Sequence, residues 1–152
     1  MTEKLQTEYR EAVYRALERF QFIEETLRMY LDLVIQIAKI ELTQYFPVNL
    51  TKKDLSKLSL GKLKDMFSRF NGNASLKSSL KKVTPDRNRV AHQSLLFTLG
   101  ELKDNAHLTK LIHEMNEIES RAKEVHETLL DERWKLHKLL NILRHSKKHK
   151  GK

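Results

Sequence analysis

What most constrains this chain is how seldom it can break: 152 residues contain 4 Gly and 2 Pro. The breakers fall at Pro47, Gly61, Gly72, Pro85, Gly100 and Gly151, and the intervals between them are of helical rather than strand length. Those intervals are rich in Leu, Lys, Glu, Arg and Ile, and alternation at the strand period is nowhere sustained. An all-α chain follows.

Apolar residues recur at steps of three and four through Tyr9, Ala12, Ala16, Phe20, Ile23, Leu27, Tyr30, Val34 and Ile37. That spacing turns one side of a long helix towards a core, and Pro47 stops it. A second row, Leu31, Ile35 and Ala38, marks a stretch packed on two sides, either as a central helix or as one that also meets a partner chain. The last long segment repeats the pattern almost as heptads: Leu108, Leu111, Met115, Ile118, Ala122, Val125, Leu129, Leu136, Leu140 and Leu143, with Glu132 or Arg133 at the missing seam position. The expectation is an up-and-down bundle of four or five helices whose spine is two long antiparallel helices. Shorter helices lie between them, from Leu58 to Phe70, from Ala74 to Lys82 and from about Thr84. Thr84 suits an N-cap, Pro85 the first helical position and Asp86 the first turn. Residues 1–144 read as one domain, and 145–152 as a basic tail that frays.

The charge is uneven. Residues 1–50 hold 6 basic and 8 acidic side chains, 51–92 hold 11 and 3, and 93–152 hold 12 and 9, for a net charge of +9. The basic middle suggests attraction to polyanions. With no Cys, disulfides, thiol nucleophiles and Cys-rich zinc sites are excluded, which leaves His and carboxylate chemistry. No apolar run approaches a membrane span, and MTEKLQTEYREAVYR lacks the apolar core of a signal peptide, so a cytoplasmic location is expected, without membrane, metal or cofactor.

The stretch with most chemical content is Asp86-Arg87-Asn88-Arg89-Val90-Ala91-His92-Gln93. Asn88 and His92, four apart, share a helix face. Arg87 is rotated about 140° from His92, but a guanidinium near a helix start can swing towards the same pocket. Arg offers a fixed fork of donors to phosphate, and His moves a proton near neutral pH. Cutting RNA without a metal needs those two services. The alternative is structural: Arg87 and Asn88 solvate a helix start, and His92 is a histidine satisfied on a bundle face.

Arg87-Asn-Arg-Val-Ala-His92 resembles the motif of the HEPN superfamily (higher eukaryotes and prokaryotes nucleotide-binding), in which Arg precedes His by a few residues and Asn often follows the Arg. The stretch Leu58-Ser-Leu-Gly61-Lys-Leu-Lys-Asp-Met-Phe67 is similar to the helix before that motif. The resemblance implies a homodimer in which motifs from two chains form a composite, metal-independent endoribonuclease site, with roles in toxin–antitoxin or antiviral systems. It further implies that Arg87 binds the scissile phosphate, His92 handles the proton and Asn88 orients one of them. Glu24 or Glu25 is the candidate supporting acid, and an antitoxin or other regulatory protein a candidate partner. Some relatives are inactive, so the alternative from this side is a non-catalytic helical dimer that binds a protein, RNA or nucleotide. Lys77, Lys81, Lys82 and Arg89 are the residues expected to hold RNA, and Leu31, Ile35 and Ala38 could contribute to the dimer contact. His113-Glu114-Met115-Asn116-Glu117 has Glu where a zinc protease needs its second His, and His145 with His149 sits among lysines, so neither reads as a metal site. Trp134, off the stripe of its helix, is expected to pack under a neighbouring segment.

Overall fold

The structure is a computed structural model and describes residues 2–98 and 104–151. Five helices follow in order: α1 (Thr2–Leu42), α2 (Lys52–Ser56), α3 (Leu60–Phe70), α4 (Ala74–Thr98) and α5 (Asn105–Lys150). No strand occurs among the described residues, so the chain is the all-α bundle that the periodicity requires. The breaker Gly100 lies outside the described residues.

Two compact units share the helices. Residues Met1–Ile23 and Ser78–His126 form the first, Glu24–Lys77 and Glu127–Lys152 the second. In the first, Tyr9, Ala12, Ala16, Phe20 and Ile23 of α1 are buried with Leu80, Val83 and Val90 of α4 and with the α5 row from Leu108 to Val125. In the second, Leu27, Leu31 and Ile35 of α1 are buried with Leu55, Leu60, Leu63, Phe67 and Leu76 and with Leu129 and Leu140 of α5. The second row of α1 is therefore core: Leu31 and Ile35 are buried within the chain and are not available to a dimer contact.

The long pair is parallel, not antiparallel. In the first unit Arg15 bonds Asn116 (3.1 Å), Arg19 pairs with Glu119 (3.6 Å), and Phe22 stacks on His126 (5.5 Å between centroids). In the second, Arg144 bonds Gln36 (2.6 Å) and Lys147 donates to the Ile40 carbonyl. In both, α5 numbers rise with α1 numbers. The reason lies in α4. The sequence reads as two short helices separated at Thr84, but the chain forms one 25-residue helix with Pro85 inside it. Proline inside a helix costs roughly 3 kcal/mol, but Leu80, Val83 and Val90 form one buried row across it, and Pro85 is on the exposed side. In the first unit α4 makes a full antiparallel pass against α5, with Arg89 opposite Glu114 and Asp86 opposite Arg121, so the long helices end up pointing the same way. Thr84 caps nothing, and among the described residues its buried hydroxyl has no hydrogen-bond partner.

The cap of α4 is Asn73. Its Oδ1 accepts from the Leu76 N–H (3.0 Å), as an N-cap side chain does for the third helical residue. Asn71, just after α3, is buried and donates to the Tyr30 hydroxyl (3.1 Å) and to Glu132 (2.9 Å). Glu132 thus fills the polar gap in the α5 seam. Residues 145–150, expected to fray, continue α5.

Candidate functional site

Arg87, Asn88 and His92 stand in the interior of α4, all exposed. Because the helix is continuous, Arg87 has no helix end from which to swing. It continues the row Leu80, Val83 and Val90, whereas Lys81, Asn88 and His92 follow one another at i, i+7 and i+11 along a different side. The fold brings Asn88 and His92 together and sets Arg87 about 140° away around the axis.

The flanking cations differ in availability. Lys81 and Lys82 are exposed on α4. Arg89 is committed to a two-pronged pair with Glu114, in which Nη2 donates to Oε2 at 2.8 Å and Nε to Oε1, and this hydrogen bonding holds its proton more tightly than usual. Lys77 belongs to the second unit. So do Glu24 and Glu25, which pair with Arg28 at 3.7 and 3.5 Å. Arg28 also donates to the Leu58 carbonyl (3.1 Å), and among the described residues its buried Nε has no partner. Beside it opens a cleft of about 500 Å³ where Arg28, Lys52 and Arg133 alternate with Glu25 and Asp32, a mixed lining that favours neither sign of ligand.

Sequence reasoning gave Asp86 to a helix start and Glu114 to an incomplete zinc pattern, and missed that both pair with cations around the motif. Asp86 lies 3.3 Å from Arg121, and Glu114, beyond pairing with Arg89, adds to burial in raising the Tyr9 hydroxyl to about 12. For Glu114 the legible signal is the acidic surplus in the first half of α5. His113 pairs with Glu117 at 3.3 Å on an exposed face of α5. Among the described residues no group of three or more His, Asp or Glu side chains is placed to hold a metal. No helix there is long and apolar enough to cross a membrane. Trp134 does not pack under a neighbour: it is 57% exposed.

No family model, curated protein or solved structure matches the chain.

Proposed function

We propose that the chain is a metal-independent endoribonuclease of HEPN type whose site is completed by a second copy, with Arg87 of one chain and His92 of the other meeting at one phosphate. The observation that supports this reading is the rotation of about 140° between two exposed residues on one unbroken helix. A single chain cannot aim both at one phosphodiester, but two copies related by a twofold axis can. In the reaction the RNA 2′-oxygen attacks the adjacent phosphorus and the bond to the 5′-oxygen breaks. His92 takes the 2′-hydroxyl proton or supplies one to the leaving oxygen, and the Arg87 guanidinium balances charge on the crowded phosphorane. Asn88, one turn before His92, orients the ring. Lys81 and Lys82 add affinity through the backbone.

Purified protein should cleave RNA in EDTA, and Arg87→Ala and His92→Ala should each lower the rate by about 10²-fold or more. Mixing the two variants is the decisive arm. In a mixed dimer one composite site keeps both residues, so activity returns to a sizeable fraction of wild type. Absence of rescue with intact dimers would mean that each chain uses its own pair, and absence of cleavage by the wild type would remove the enzyme reading in favour of a helical binding module.

A further inference from the structure

The basic surplus lies away from the motif. Residues of the first unit carry 12 basic and 11 acidic side chains, those of the second 17 and 9. Within α5 the change is abrupt: residues 105–132 hold 3 basic and 7 acidic side chains, while 133–150 hold 7 basic and none acidic. We propose that one face of the C-terminal part of α5 binds single-stranded nucleic acid, with Trp134 stacking on a base and Lys138, Arg144 and Lys148 holding backbone phosphates.

Three observations carry this. Trp134, His137, Lys138, Arg144, His145 and Lys148 recur at i, i+3, i+4, i+10, i+11 and i+14, a spacing that keeps them on one side of a straight helix over about 21 Å. The Trp134 ring is exposed and already sits in a cationic stack, 5.7 Å from the His137 ring at 19° and 5.5 Å from Lys138 Nζ. Further along, a groove of about 310 Å³ is lined by Ile40, Asn141, Arg144, His145, Lys147 and Lys148, with no Asp or Glu among the described residues that line it. Cations spaced along a helix beside an exposed ring are the elements of sequence-tolerant strand binding, because every base has a π-face and every linkage a charge. A duplex would leave the ring nothing to stack on. A second copy meeting this same face would set Lys138, Arg144 and Lys148 against like charges. A lipid surface needs one apolar helix face, whereas the exposed Leu139 and Ile142 lie outside this row.

The chain has 1 Trp, so its fluorescence reports on this face directly. An oligothymidylate of about twelve nucleotides is the probe, since it lacks the 2′-hydroxyl and its binding is independent of any cleavage. Titration at low salt should quench Trp134. Changing Lys138, Arg144 and Lys148 together to Gln should weaken binding 10- to 100-fold and lower the salt slope by about two, near 0.7 per lost contact. Read by anisotropy of a dye-labelled oligothymidylate, because these variants lack the reporter ring, Trp134→Ala should cost about tenfold, and Trp134→Phe much less. Unchanged fluorescence at saturation, undiminished affinity of the triple variant, or equal affinity for a duplex would overturn the proposal. So would preferential binding to anionic vesicles, or self-association that Trp134→Ala abolishes.

Discussion

The two units draw on the same two long helices and treat polar residues in opposite ways. In the first, charges nearly balance and are spent on cross-helix pairs at the surface: Arg15 and Arg19 with Glu119, Arg89 with Glu114, Arg121 with Asp86. In the second, polar groups go inward. Asn71 is buried between the Tyr30 hydroxyl and Glu132, Asn73 reaches the same carboxylate at 3.5 Å, and the surplus cations stay outside. Exposed pairs add little to stability but choose which helix faces meet, while a buried network is costly to leave half satisfied. The first unit's surface charges therefore specify its helix pairing. The second unit's buried polar groups hold the junction between α3 and α4, and its side chains carry more cations than carboxylates.

The largest expected effect is in the second core. Phe67 is fully buried and meets Tyr30 edge-on at 4.7 Å between centroids. Phe67→Ala should cost about 3–5 kcal/mol by urea unfolding, from lost transfer energy and the cavity left behind. If the units are separate cooperative bodies, native-state hydrogen exchange will show the loss at Leu27 to Ile35 and spare Val83 and Val90. Equal loss of protection in both would break the comparison.

Next comes the junction itself. Asn71→Ala removes the donor from which the Tyr30 hydroxyl accepts, leaving that hydroxyl its bond to the Phe70 carbonyl (3.4 Å), and removes a donor from Glu132, which should cost about 1–3 kcal/mol at pH 7. Burial pushes the Glu132 carboxyl up, but hydrogen bonds from Asn71, Lys135 and Asn73 outweigh it and hold the group below its ordinary value. A carboxyl depressed in the folded state stabilises fully above its unfolded pKa, about 4.3 for Glu, and that contribution disappears as pH falls through the lower folded value. The gap between wild type and Asn71→Ala should accordingly narrow between pH 5 and pH 3. A gap constant across that range would mean that Asn71 acts through Tyr30 and the backbone alone.

This junction also shows what the sequence makes legible. The stripes of α1 and α5 are legible because buried rows recur at helical spacing, and the break in the α5 heptads is legible as falling at Glu132 or Arg133, of which the polar network takes Glu132. The direction of the pair could not be read, because periodicity carries no sense of up or down. It turned on whether Pro85 ends a helix, and the buried row Leu80, Val83 and Val90 outweighs that local signal. The same misreading placed Arg87 at a helix start and drew it towards His92. Over residues 93–152 as a whole an acidic stretch cancels a basic one and obscures the Trp134 face, although the run without Asp or Glu from Arg133 onward is legible in the sequence.

The smallest effect tests how the first unit spends its charge. Arg89 was grouped with Lys81 and Lys82 as an RNA contact, yet its guanidinium is already held on two prongs by Glu114. To reach a phosphate it must leave that carboxylate, so the gain from the new contact is offset by the loss of the old one. Arg89→Gln should therefore change RNA affinity and its salt slope less than Lys81→Gln or Lys82→Gln, each of which should lower the slope by about 0.7 if it meets a single strand. In stability the order reverses. Half-exposed Arg89 and the more covered Glu114 should couple by no more than about 1 kcal/mol in a double-mutant cycle, diminishing with salt, while the lysine variants stay near zero. A slope loss at Arg89 equal to that at Lys81 would show that the pair opens on binding, and the first unit would then hold cations in reserve much as the second does.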